Sequence, residues 1–131
     1  MTFFEEPNLV RLMESTLIEL LGKSPQVVVT YKELANECAL AGNLPLVDLG
    51  DISQRTLFSN LLGEVADLSY AEHGFVITAV VVLSSGEGAG LGLRTALIRN
   101  GLLKKSASDD AYELVRFAEM RKAWEKFGPK R

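Results

Sequence analysis

Few residues in this chain have side chains suited to catalysis or ligand chemistry. His73 is the single histidine and a candidate general base, but no nucleophile signature accompanies it. Its setting, Ala71-Glu72-His73-Gly74, is a turn signal in which a solvated imidazole is expected. Cys38 is the single cysteine, so an internal disulfide is excluded, and with His73 the single histidine a metal site is short of ligands, which sets structural zinc aside. Cys38 stands beside Leu34, Ala35 and Ala39 at helical spacing, where a thiol serves as a small buried hydrophobe. The acids Glu5, Glu6, Asp48, Asp51, Asp109 and Asp110 sit at expected element starts and read as caps, not as a catalytic pair. Gly86, Gly88, Gly90 and Gly92 form a loop whose backbone amides could approach a phosphate closely, or which is simply a wing or tight turn.

The elements that must position these residues follow from periodicity. Residues 75–83 carry no charge and are rich in β-branched side chains (Val76, Ile77, Thr78, Val80, Val81, Val82), which predicts a central strand covered on both faces. Leu9, Leu12, Met13, Thr16, Leu17 and Leu20 recur at helical spacing, with Arg11, Glu14 and Ser15 on the opposite side. This first helix is expected to stop at Gly22 in a left-handed cap before Pro25. Residues 27–29 are three valines and predict a short strand; Thr30 and Glu33 then form a capping-box pattern for a helix over 31–40. Residues 42–51 read as an ordered connection, and Ser53 as the cap of a third helix over 54–69. That helix should bury Leu57, Phe58, Leu61, Leu62, Val65 and Leu68 and expose Thr56, Ser59, Asn60, Gly63 and Asp67. Residues 91–103 fit a returning strand or a short helix ended by Asn100 and Gly101; a helix from about Leu93 is favoured. After a polar link, Ser108 caps a last helix with Asp109 and Asp110 in its first turn. Arg121, Lys122 and Lys126 lie near its end, and Leu114, Phe117, Met120, Trp124 and Phe127 form its apolar seam.

Helix, strand, helix, helix, strand and glycine-bearing loop is the order of a winged helix. Val29-Thr30-Tyr31-Lys32-Glu33-Leu34-Ala35 resembles the Val-Thr-Tyr-x-Glu-Leu-Ala stretch opening the winged-helix half of the alkylguanine-DNA alkyltransferases and alkyltransferase-like proteins. The resemblance covers element order over residues 27–83. It implies a third helix that reads the DNA major groove and a loop that serves as the wing. The reactive Pro-Cys-His-Arg segment of that family has no counterpart in residues 75–83, which excludes alkyl transfer. The chain is also similar to small uncharacterised bacterial proteins with a Tyr-x-Glu-Leu-Ala helix and a later Ala-Val-Val strand, a likeness that implies no activity. Gly88-Ala89-Gly90-Leu91-Gly92-Leu93 is similar to the glycine box of the histidine-kinase and gyrase type ATPases. The adenine-binding and magnesium-binding stretches that accompany that box are missing, so no nucleotide cofactor is expected.

A length of 131 residues with 47% hydrophobic residues predicts one domain of α+β class: winged-helix-like, three N-terminal helices with a small sheet, and an appended C-terminal helix over 108–127. No apolar run reaches the roughly 18 residues of a membrane span, and the acidic start MTFFEEPN is unlike a secretory signal, so a cytoplasmic protein with no membrane partner is expected. The net charge of −3 offers nucleic acid no general attraction. The expected function is therefore a non-enzymatic protein-interaction or assembly module, self-associating as a homodimer or homo-oligomer. Its contacts would come from Tyr112, Phe117, Met120, Trp124 and Phe127, aromatic residues being common interface anchors, although core packing of the same seam is the ordinary alternative. The other reading is a DNA-binding regulator that places Arg55, Thr56, Ser59 and Asn60 in the groove and Lys104 and Lys105 on phosphates. No catalytic residue, metal, cofactor or small-molecule substrate is expected.

Overall fold

The structure, a computed structural model, describes residues 2–83 and 91–130, with the backbone alone at Leu91. The chain begins with a 3-10 turn, Phe3–Glu5, whose Phe3 is buried, and continues into α1, Leu9–Leu21. Strand β1 is Val29–Thr30 and runs directly into α2, Tyr31–Gly42. Thr30 is the hinge between them. Its hydroxyl accepts the Glu33 amide at 3.1 Å while the Glu33 carboxylate accepts the Thr30 amide at 3.3 Å, the reciprocal cap its sequence predicts.

Helix α3, Ile52–His73, is longer at both ends than the spacing predicts. Asp51, not Ser53, caps it, accepting the amides of Ser53 and Gln54 at 2.8 and 3.2 Å. It ends where Gly74 takes a φ of 78°, a left-handed cap that favours glycine. Strand β2 is only Val81–Val82 and pairs in parallel with β1, Val29 opposite Val81 and Thr30 opposite Val82. Helix α4 is Leu91–Arg99, so the favoured helical reading of 91–103 holds. Helix α5 is Asp109–Phe127, its Ser108 hydroxyl accepting the Ala111 amide at 3.1 Å. The α+β class stands, with helices predominating over a two-stranded parallel sheet among the described residues. The loop expected as a wing, residues 84–90, lies outside the described residues. The chain after it is helical from Leu91.

The main correction concerns residues 75–83, expected as one continuous strand. Ile77–Val80 is a 3-10 turn, and the extended ladder is confined to Val81–Val82. The expectation of burial holds, since every residue from Phe75 to Val82 is buried, Val76, Ile77, Ala79 and Val80 completely. A buried segment without a ladder must find other partners for its amides. Here side chains supply them. The Glu119 carboxylate accepts the Val76 amide at 2.9 Å, and the Ser69 hydroxyl accepts the Ile77 amide at 3.0 Å while donating to the Phe75 carbonyl at 2.7 Å. The central segment is thus a peg held by α3 and α5, around which α1 packs on α2, α3 and α5, and α4 on α3.

Three smaller expectations also need correcting. Gly22 ends α1 with a φ of −77°, in the right-handed region, and its amide bonds back into the last turn. Glu14, expected on the solvent side of α1, is buried among the core positions Leu9, Met13, Thr16, Leu17 and Leu21. The buried face of α3 is Phe58, Leu62, Val65, Ala66 and Ser69, so Leu57 turns outward at 47% exposure.

Candidate functional site

The last helix carries two faces. Its inner face is built on Val115, Glu119, Met120 and Ala123, packed against the Ile77–Val80 turn and α1. The seam expected from sequence is rotated from this one: Leu114 and Phe117 are 74% and 51% exposed, while Met120 is in the core at 6%. The other expected contact residues are held by their own chain. The Trp124 indole N–H donates to the Val27 carbonyl at 2.9 Å, Phe127 packs on the rings of His73 and Phe75, and Tyr112 lies beneath the Arg94 guanidinium. Phe117 is therefore the single large member of that set projecting into solvent.

Around Phe117 the outer face is organised. Asp110, Leu114, Phe117, Arg121 and Trp124 alternate at spacings of four and three residues, so they form one stripe along the helix. Phe117 stands edge-on to Trp124 at 6.1 Å, and the Arg121 guanidinium lies 5.6 Å from its ring centre. Asp110 and Arg121 are exposed at the two ends of the pair Leu114 and Phe117.

The polar face of α3 presents Arg55, Thr56 and Asn60 to solvent, with Ser59 half-buried. Ser59 and Asn60 line a groove of about 370 Å³ with Gly63, Glu64, Asp67, Gly92, Thr95 and Arg99. Its arginine is not free for phosphate: Arg99 bonds Asp67 at 3.0 Å, and Asn100 donates to the same carboxylate at 2.9 Å. Lys104 and Lys105 are exposed on the link after α4. Under this groove, Tyr31, Leu62, Ala66, Thr78, Val81, Leu93 and Ala96 surround a gap of about 10 Å³, too small for an organic ligand.

A further cluster brings Glu14 of α1 to Glu72 and His73 at the end of α3. One ligand-type atom from each lies within 4.8 Å of the others. Arg11 bonds Glu72 at 2.7 Å and approaches Glu14 at 3.5 Å. The Arg11 guanidinium holds the Glu72 carboxyl below its usual range, whereas burial and the neighbouring Glu72 push that of Glu14 up. His73 is not the solvated turn residue expected: it belongs to the helix and is half-buried between Phe75, stacked at 5.7 Å, and Phe127, edge-on at 5.2 Å. Counting Cys and His alone missed this set, because its other members are carboxylates 58 residues apart in the chain. A glutamate among the apolar positions of α1 was the available signal. Cys38 is fully buried, as its neighbours predicted, and burial pushes its thiol up to about 11.

Among the described residues no helix is long and apolar enough to cross a membrane. Comparison with protein-family models, curated proteins and solved structures returns no match to this chain.

Proposed function

We propose that this protein is a non-enzymatic interaction module that self-associates through the outer face of α5. The observation that carries the reading is the exposure of Leu114 and Phe117, 74% and 51%, on a helix whose other large aromatic residues are docked on their own chain. A second copy is the occupant that suits the stripe. If two α5 helices meet antiparallel about a two-fold axis between Leu114 and Phe117, each Leu114 faces the other copy's Phe117. Each Asp110 then faces the other copy's Arg121. An isologous contact of this kind closes on itself, with an apolar centre and complementary charges at both ends. A winged-helix-like arrangement remains part of the proposal, supported by element order from α1 to β2 and by the Thr30-Tyr31-Lys32-Glu33 capping box.

Light scattering after size-exclusion chromatography tests the reading. A concentration-dependent dimer is expected, lost in Phe117→Asp. Asp110→Arg and Arg121→Glu should each weaken it, and the two together should restore it. A chain that stays monomeric up to its solubility limit overturns the proposal, as does a dimer indifferent to Phe117→Asp.

Duplex DNA is the second reading, favoured by the exposure of Arg55, Thr56 and Asn60 on α3 and of Lys104 and Lys105 after α4. Glu64 and the Asp67–Arg99 pair beside those residues oppose it. Binding through several phosphates must weaken steeply as salt rises, so a chain that ignores duplex at low salt is not a DNA reader.

A further inference from the structure

Glu14 is the unusual member of the cluster at the end of α3. Its side chain is only 7% exposed, and Oε1 has Arg11 at 3.5 Å, the limit of a hydrogen bond. Its other oxygen, Oε2, is buried and accepts no hydrogen bond from the described residues. Leaving a buried carboxylate oxygen without a partner is costly, and such atoms call for an explanation. The groups near the Glu14 carboxylate are themselves ligands: one ligand-type atom of Glu14, one of Glu72 and one of His73 lie within 4.8 Å of one another.

We propose that Glu14, Glu72 and His73 form a binding site for a divalent transition-metal ion of the zinc class, which displaces Arg11 from the two carboxylates. Two carboxylates and an imidazole make the three-ligand set that zinc accepts, leaving a fourth position to solvent. The imidazole and the small number of oxygens argue against calcium and magnesium, which favour six or more oxygen ligands or retained water. Zinc bonds of about 2.0–2.1 Å put tetrahedral ligand atoms roughly 3.3 Å apart. The cluster must therefore contract modestly, and Glu72, whose side chain is one-third exposed, is the arm with room to move. Glu14 and His73 are the fixed members, one buried in α1 and the other oriented between Phe75 and Phe127. Bound metal would clip the C-terminal end of α3 to α1. The competing occupant of the gap is a proton shared between Glu14 and Glu72.

Calorimetry and thermal denaturation of the full chain without a histidine tag, titrated with zinc chloride and separately with magnesium chloride, discriminate the two. One zinc per chain is expected to bind saturably and raise the Tm, with no response to magnesium. Arg11→Ala should tighten zinc binding several-fold by removing the competing cation. His73→Gln and Glu14→Gln should each weaken it at least tenfold while the far-ultraviolet circular dichroism is retained. If either variant fails to fold, Glu72→Gln, at the exposed arm, gives the same reading. Absence of saturable zinc binding in both the parent and Arg11→Ala, or binding undiminished in folded His73→Gln, overturns the proposal in favour of the shared proton.

Discussion

Replacing Glu119 tests whether side chains hold the central segment in place of a ladder. Glu119 is 2% exposed, accepts the Val76 amide at 2.9 Å, and is paired with Lys122 at 2.8 Å. In Glu119→Ala the Val76 amide is left buried and unpaired, which costs about 1–3 kcal/mol, and the lost side-chain volume adds about 1 kcal/mol. Relief from burying a carboxylate offsets part of this. The Lys122 pairing contributes little because that side chain is half exposed. The net loss should be about 2–3 kcal/mol, a large part of the roughly 5–15 kcal/mol that stabilises a domain. Glu119→Gln keeps an acceptor for Val76 and should lose only about 1 kcal/mol. Ser69→Ala strips partners from Ile77 and Phe75 together and should match Glu119→Ala. Because Ser69 and Glu119 hold one segment, the double variant should lose less than the sum by about 0.5 kcal/mol or more. Urea denaturation followed by Trp124 fluorescence and circular dichroism reads all four. A Glu119→Ala protein within about 0.5 kcal/mol of the parent would refute the argument, because an exposed surface change does no more than that.

Burial raises the Glu14 carboxyl above its ordinary value of 4.5, so the stability it contributes is present below that value and is lost as pH rises through its folded pKa. In metal-free buffer, the Tm of Glu14→Gln relative to the parent should therefore climb from about pH 4 to about pH 7. Glu72, lowered by Arg11, works in the opposite sense, its contribution present above the ordinary value and lost on acidification. A constant difference between Glu14→Gln and parent across that range would contradict the burial of Glu14. Cys38, fully buried with its thiol pushed up to about 11, should resist a thiol-reactive disulfide reagent at neutral pH until denaturant is added; immediate native labelling would contradict its place in the core. Trp124→Phe removes the donor to the Val27 carbonyl and should lower stability by about 1 kcal/mol in denaturant, while a neutral result would mean that solvent replaces that bond fully.

What could be read from the sequence was what local chemistry decides. The capping box at Thr30 and Glu33, the cap at Ser108 and the burial of Cys38 each depend on residues a few positions apart, and each is found as expected. The conformation of residues 75–83 depends instead on Ser69 in one helix and Glu119 in another. β-Branched side chains signal a buried segment equally well whether its amides meet a neighbouring strand or a carboxylate. Thus burial was legible and the 3-10 turn at Ile77–Val80 was not. The cluster at Glu14 escaped for the same reason: Arg11, Glu14, Glu72 and His73 meet only after α1 packs on α3.

The apolar seam of α5 departs from the one its sequence predicts, for a physical reason. Of the seam expected from size, Leu114 and Phe117 face solvent, whereas Met120 is in the core and Trp124 and Phe127 dock on their own chain; Val115, Glu119 and Ala123 complete the inner face. A helix that served only to cover its own core would place its bulk inward and its charges outward. Here the inward side is built partly of alanine and a glutamate, because the Ile77–Val80 turn approaches closely and requires an acceptor for Val76. The outward side keeps a leucine and a phenylalanine between an aspartate and an arginine. Packing within the chain accounts for the inner choices and supplies the Phe117–Trp124 and Arg121–Phe117 contacts of the outer face, while the proposed antiparallel contact with a second copy would use Asp110, Leu114, Phe117 and Arg121 at once. The restoration of dimer by the paired Asp110→Arg and Arg121→Glu exchange therefore tests the orientation itself, which a loss caused by Phe117→Asp alone does not.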